Sequence, residues 1–119
     1  MSERDGPFMD IEPNAHQVRV LLGGVILAET KRALILREGA RPPVQYIPRA
    51  DVVMSLFEPS PHVTRCPHKG EASYFSATAH GIEARNVAWS YEDPLPEVAD
   101  IKGYLAFDPG KVDAIEELN

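Results

Sequence analysis

Short apolar runs that alternate with polar residues recur along the chain and predict β-strands rather than long helices. His16–Leu22 alternates in this way, and Gly23-Gly24 predicts a two-residue turn into a second strand, Val25–Glu29. A turn at His80-Gly81 likewise predicts the longest hairpin of the chain. The further predicted strands are Ala33–Leu36, Val44–Ile47, Val52–Phe57, Ala72–Ala79, Ile82–Trp89 and Tyr104–Phe107.

Helix signals are confined to the C-terminal part of the chain. Pro96 favours a short helical turn through Glu97–Ile101, and Asp108 followed by Pro109 is typical of an N-cap and a first helical position. Apolar residues then recur at helical spacing, at Val112, Ile115 and Leu118. We therefore expect one short C-terminal helix.

The fold class that these elements predict is mainly β. We expect a compact sandwich or barrel-like domain of about eight short antiparallel strands, with one short C-terminal helix. Residues 1–13 combine glycine, proline and charges without periodicity, which predicts a flexible N-terminal arm. Residues 14–119 then form a single globular β domain, because a chain of this length can bury a core of its own.

The amino-acid composition argues against several classes of function. The net charge of −6 opposes sequence-independent attraction to phosphate backbones or anionic membranes, so we expect neither a nucleic-acid nor a membrane partner. The single cysteine, Cys66, excludes an internal disulfide and a multi-thiolate zinc site. Neither a signal peptide nor an apolar run long enough to span a bilayer is evident. We expect a cytoplasmic, metal-free domain without a cofactor.

Cys66 lies in the segment Cys66–Tyr74, which carries the first candidate chemistry. The cation of Lys69, with His68 beside it, would stabilise a thiolate, which is the reactive form of cysteine. Cys66 and Lys69 are therefore the candidate catalytic residues, as nucleophile and as base or Schiff-base former. The alternative is that Cys66 is a small buried hydrophobe, as free cysteines often are.

Arg49 and Lys69 suggest a binding site for an anion. Both are predicted to follow strands, on loops, and together they could clamp a carboxylate or phosphate. The alternative is that each forms a structural salt bridge. Acidic partners for such bridges are Asp51, Glu58, Glu71 and Asp93.

Aromatic residues form a third group, in which Trp89 and Tyr91 share one face of a predicted strand. With Tyr74 and Tyr46 they could wall a small-molecule pocket, in which the hydroxyls fix the ligand's orientation. Arg49, Tyr74, Trp89 and Tyr91 are therefore the candidate ligand-binding residues. The alternative is that the rings simply form the core.

Two further hypotheses concern metal binding and self-association. His62, Cys66 and His68 could together approach a zinc site, but Pro67 stiffens the loop and Lys69 repels a cation, so we expect no metal. The apolar strands predicted at 33–36 and 52–57 either form the core or leave an edge that pairs with a second copy. A homodimer is thus one alternative for the oligomeric state.

Four motifs, in order and at compatible spacing from about Val18 to Val112, resemble a known family. They are Pro48-Arg49-x-Asp51, Cys66-Pro67-x-Lys69-Gly70-x-Ala72-x-Tyr74, Ala88-Trp89-x-Tyr91-x-x-Pro94-x-Pro96 and Ile101-x-Gly103-Tyr104-x-Ala106-Phe107. The chain resembles domain-of-unknown-function family 427, a small bacterial and fungal family; its members commonly have an aromatic residue where this chain has His68.

The resemblance implies a β-tent, in which two small sheets splay from a shared ridge, here without the four-cysteine zinc site of related folds. The family has also carried a nucleotidyltransferase-like label. Nucleotidyl transfer needs carboxylates spaced to hold Mg²⁺, and the expected Gly-Ser start followed by an Asp-x-Asp pair is missing from this chain.

Three hypotheses for function follow, in order of preference. The first is a binding domain whose cleft holds a small anionic or planar ligand. The second is an enzyme that uses Cys66 as nucleophile or Lys69 as base. The third is a structural or protein-interaction domain without a ligand, in which the motifs specify the fold.

Overall fold

The computed structural model describes residues 9–118, and within this range it contains ten strands rather than the eight expected. They are β1 (Met9–Pro13), β2 (Gln17–Leu22), β3 (Val25–Thr30), β4 (Leu34–Glu38), β5 (Val44–Tyr46), β6 (Phe57–Cys66), β7 (Gly70–Ala79), β8 (Ile82–Ser90), β9 (Leu105–Phe107) and β10 (Ala114–Leu118). Short 3₁₀ helices are Arg49–Asp51, Met54–Leu56, Pro96–Ile101 and Pro109–Lys111.

The strands form three antiparallel sheets, which confirms the mainly β class. Their strand orders are β1-β4-β5, β10-β2-β3 and β6-β7-β8-β9. Each sheet has two edges, so the described part of the chain is not a closed barrel. An isolated bridge between Ile47 and Leu105 links the end of β5 to β9 and so connects the first sheet to the four-stranded one.

The four-stranded sheet contributes to two hydrophobic clusters, one on each face, because side chains alternate across a strand. In β9, Leu105 and Phe107 belong to the first cluster, whereas Ala106 between them belongs to the second. The first cluster includes Val18, Val20, Leu22 and Leu27 from the β10-β2-β3 sheet. The second includes Leu36 and Tyr46 from the β1-β4-β5 sheet, together with Val98 and Ile101. The candidate site lies on the second face.

The prediction of a C-terminal helix is wrong. Asp108 does cap a turn, since its Oδ1 accepts a hydrogen bond from the Gly110 amide at 2.9 Å, but the turn ends at Lys111. Val112 is already extended, and Ala114–Leu118 pairs along β2. Pairing with an edge of the sheet satisfies the backbone there, and it overrides the helical spacing of the apolar residues.

The prediction of a strand at Val52–Phe57 is also wrong. Two 3₁₀ turns occupy most of residues 49–56, and Val52 makes only an isolated bridge to Ala28. Instead, β6 begins at Phe57 and continues through Pro59 and Pro61. It tolerates both prolines because it is an edge strand, and its register with β7 shifts between Pro59 and Val63.

The remaining predicted strands and turns agree with the structure to within a few residues, whereas part of the predicted N-terminal arm is a strand. The hairpins around Gly23-Gly24 and His80-Gly81 form as β2–β3 and β7–β8, and a 3₁₀ helix occupies Pro96–Ile101. Met9–Pro13, assigned to the N-terminal arm, forms β1 and pairs with β4; residues 1–8 lie outside the described range. Among residues 9–118, no helix is long and apolar enough to cross a membrane.

Candidate ligand-binding cleft

A buried ion pair between Lys69 and Glu38 is the centre of the candidate site. The Lys69 Nζ lies 2.5 Å from the Glu38 Oε1, and each side chain is only 8% exposed. A charge removed from water in this way costs several kcal/mol unless a partner compensates it. The short, charge-assisted contact supplies that compensation. The pair joins the first sheet to the four-stranded sheet.

The β6–β7 turn positions Lys69. The Lys69 amide donates to the Cys66 carbonyl at 3.2 Å, and its own carbonyl accepts from the Leu95 amide at 3.0 Å. Gly70 follows with φ +113°, and a Cβ there would lie 3.5 Å from the Asp93 carbonyl oxygen. Glycine suits this position because its backbone conformation disfavours other residues. The segment around Leu95 therefore holds the turn that presents Lys69.

Arg41 adds a second cation near Glu38. The chain turns at Gly39, where φ is +54°, and the Arg41 amide donates to the Glu38 carbonyl at 3.0 Å. The Arg41 Nη1 lies 4.0 Å from the Glu38 Oε1, while the Arg41 side chain is 75% exposed. Two cations thus face one carboxylate. Glu38 can neutralise only one of the two cations, so one positive charge is left over. It lies with the exposed Arg41, on the side of the buried pair that faces solvent.

Four aromatic residues form the wall beside this charge cluster. Tyr74 and Trp89 are cross-strand partners in β7 and β8, with ring centroids 6.3 Å apart. The Trp89 Nε1 donates to the Tyr46 hydroxyl oxygen at 3.3 Å. Burial raises the pKa of Tyr46 to about 12 and raises the pKa of Tyr91 above its ordinary value. Both phenols are therefore neutral at physiological pH and act as hydrogen-bonding groups rather than charges.

These side chains enclose a cavity of about 210 Å³, which we call the polar cavity. Its lining residues are Leu36, Glu38, Arg41, Pro42, Val44, Tyr46, Lys69, Tyr74, Trp89 and Tyr91. Five of the residues singled out from the sequence thus lie together: Tyr46, Lys69, Tyr74, Trp89 and Tyr91. Sequence reasoning did not find Glu38 or Arg41. A usable signal was present, since charged residues flank a glycine turn directly before Pro42-Pro43.

Arg49 lies elsewhere, on the opposite face of the four-stranded sheet. Its guanidinium donates to Glu92 Oε2 at 2.7 Å and to Ser90 Oγ at 3.3 Å, and it covers the Phe75 ring at 5.4 Å. Because Phe75 and Ser90 alternate with Tyr74 and Trp89 along their strands, they face away from the polar cavity. The structure therefore does not bring Arg49 and Lys69 together. Each instead forms an ion pair with an acidic residue that we had not considered.

Cys66 ends β6 and packs against the second cluster. Its thiol is free and half-buried, and it does not line the polar cavity. The Lys69 ammonium is directed at Glu38. The thiol therefore has apolar surroundings, and the Lys69 ammonium that was expected to stabilise a thiolate is bound to the Glu38 carboxylate.

The histidines considered for metal binding have other surroundings. His62 packs edge-on against the Tyr74 ring at 4.6 Å, and His68 is half-buried in the turn that carries Lys69. Across residues 9–118, no three His, Cys, Asp or Glu side chains are grouped closely enough to hold a metal ion.

Comparison with known proteins assigns the chain to a family. The model of the family described as "Domain of unknown function (DUF427)" matches residues 10–118, so the chain belongs to this family. A search of proteins with curated function finds no match. The resemblance drawn from the four sequence motifs is thereby confirmed.

Proposed function

We propose that this member of the family is a small-molecule-binding protein, and that its polar cavity receives a small planar carboxylate. The observation that carries the proposal is the placement of Glu38 against both Lys69 and Arg41 at the cavity wall. One carboxylate neutralises one of the two cations, and the remaining positive charge attracts an anion.

Size and wall chemistry support a planar ligand. At about 210 Å³ the polar cavity is smaller than the roughly 300–1,000 Å³ pockets that hold drug-sized ligands, and it suits a single ring. Tyr74, Trp89 and Tyr91 provide aromatic surface on which a flat ring can stack. The neutral hydroxyls of Tyr46 and Tyr91 provide hydrogen bonds that fix its orientation.

The proposal can be tested with benzoate and two analogues. Trp89 is the only tryptophan of the chain and lines the polar cavity, so its fluorescence reports binding directly. Benzamide keeps the ring and removes the charge, whereas cyclohexanecarboxylate keeps the charge and removes planarity. We expect benzoate to bind more tightly than either analogue, and its affinity to fall with added salt.

A matched pair of variants locates the anion. Arg41→Gln should weaken benzoate binding about twofold to fivefold, since an exposed cation contributes modestly. Arg65→Gln is the control, because Arg65 is equally exposed, at 74%, and lies a similar 3.9 Å from its own partner Glu71, away from the polar cavity. Equal affinities for benzoate and benzamide, or equal losses in the two variants, would contradict the proposal.

A further inference from the structure

A second, larger cavity adjoins the polar one. It has a volume of about 530 Å³, and we call it the apolar cleft. Arg41, Pro42, Val44 and Trp89 line both cavities, so the two are separated only by shared side chains.

The apolar cleft differs sharply from the polar cavity in chemistry. Val20, Ile47 and Phe107 are buried residues of the first hydrophobic cluster, and the half-buried Ile115 of β10 packs against them. The exposed Pro43 lies at the rim. A surface of this kind is favourable for alkyl or aryl groups and unfavourable for charge.

Charges of opposite sign, on Arg41 and Glu117, line the apolar cleft. The Glu117 carboxylate lies on the side formed by β10, where it accepts hydrogen bonds from Asn14 Nδ2 at 2.9 Å and Gln45 Nε2 at 3.1 Å. Arg41 lies at the junction with the polar cavity, and Lys69 lies within that cavity. An anionic head group is thus repelled by Glu117 and attracted towards Arg41 and the polar cavity that holds Lys69.

We infer that the two cavities form one composite site for an amphipathic carboxylate, whose head group lies beside Lys69 and Arg41 and whose apolar body extends past Trp89 into the apolar cleft. This inference rests on the proposed binding of a carboxylate and adds the class of ligand. The apolar body excludes water from the buried walls, and the head group determines the orientation.

A series of 4-alkylbenzoates tests the composite site. Each methylene that leaves water should tighten binding about fourfold when it is fully buried, so we expect 4-butylbenzoate to bind at least about tenfold more tightly than benzoate. The matched 4-butylbenzamide should bind more weakly than the acid. Trp89 fluorescence and titration calorimetry give the dissociation constants.

Two variants of the apolar cleft separate its contribution from that of the polar cavity. Ile115→Gln and Pro43→Gln, which change polarity without adding charge, should weaken the binding of 4-butylbenzoate while leaving that of benzoate nearly unchanged. Pro43 is exposed, so its variant tests the cleft even if Ile115→Gln fails to fold. Pro61→Gln is the control for Pro43→Gln, since Pro61 is an exposed proline of β6 outside both cavities.

The outcomes distinguish the two proposals. If benzoate binds and depends on Arg41, but affinity does not rise along the alkyl series, the composite site is overturned and the polar cavity stands. A rise in affinity that Pro61→Gln reduces as much as Pro43→Gln also overturns the composite site. If no member of the series binds, both proposals fail.

Discussion

Lys69 and Glu38 are 31 residues apart in the chain, yet their charged atoms lie 2.5 Å apart with both side chains almost fully buried. Such a pair determines which parts of the chain pack together more than it raises the free energy of unfolding. The attraction between the two charges roughly offsets the cost of removing both from water, but either charge left alone in the interior is strongly unfavourable.

We therefore expect Lys69→Met and Glu38→Leu each to lower the free energy of unfolding by about 3–5 kcal/mol. The double variant Lys69→Met/Glu38→Leu should recover most of that loss, because it leaves no unpaired charge in a site of similar volume. Denaturant unfolding of the four proteins at one pH gives the complete cycle.

The exposed pair of Arg65 and Glu71 provides the comparison for this cycle. Its side chains are 74% and 58% exposed, so Glu71→Gln should change stability by less than about 1 kcal/mol. Additive losses in the Lys69 and Glu38 variants, with no recovery in the double variant, would show that the two residues act independently.

A substitution of Arg49 can distinguish a structural role of this residue from a role in ligand binding. Its guanidinium donates to the Gly103 carbonyl at 3.1 Å as well as to Ser90 and Glu92, and it covers the Phe75 ring. We expect Arg49→Gln to lower the free energy of unfolding by about 1–3 kcal/mol. The affinity for benzoate should stay unchanged, because these contacts lie on the face opposite the polar cavity. A selective loss of benzoate binding with normal stability would instead assign Arg49 to the binding site.

The part of the site that was predictable from sequence depends on local pairing. β7 and β8 are joined by a tight turn, and their alternation brings Tyr74 and Trp89 to one face without information from the rest of the chain. Lys69 lies directly before β7, in the turn that follows β6, so its position is also set by the local sequence. These residues were identified because each relationship spans only a few residues or a single turn.

Three of the relationships that sequence reasoning missed are long-range, whereas the contact between Arg41 and Glu38 is local. Glu38 reaches Lys69 from a different sheet, and Arg49 reaches the far face of the four-stranded sheet from a 3₁₀ turn. The expected C-terminal helix is a strand because Ile115 pairs with Val20, nearly the whole chain away. Local periodicity at 112, 115 and 118 could not reveal that edge, since tertiary pairing overrides propensity.

Cys66 distinguishes the binding hypothesis from the nucleophile hypothesis. Its thiol packs against apolar residues and the Lys69 ammonium is paired with Glu38, so we expect iodoacetamide to modify the folded protein at least about tenfold more slowly than the unfolded one. Lys69→Met should not slow the reaction. Alkylation rates of both proteins, followed by mass spectrometry, provide the measurement; a rate that falls when Lys69 is removed would support a thiolate stabilised by that cation.

Tyr46 should make the protein sensitive to alkaline pH. In the unfolded chain its phenol ionises near pH 10, whereas burial raises the pKa of Tyr46 to about 12 in the fold. Between these values the unfolded chain has lost the proton and the folded chain retains it. The stabilisation is therefore complete below pH 10 and is lost as the pH rises towards 12, by about 2–3 kcal/mol for this residue.

Denaturant unfolding of the wild type and Tyr46→Phe from pH 8 to 12 isolates this effect, because the lysines contribute equally to both proteins. At pH 8 the variant should be about 1 kcal/mol less stable, since Trp89 Nε1 loses its acceptor. Above pH 10 its stability should decline less steeply than that of the wild type. Adding Tyr91→Phe should flatten the decline further, since burial also raises the pKa of Tyr91. Parallel curves for wild type and Tyr46→Phe would mean that Tyr46 ionises as readily in the fold as in the unfolded chain.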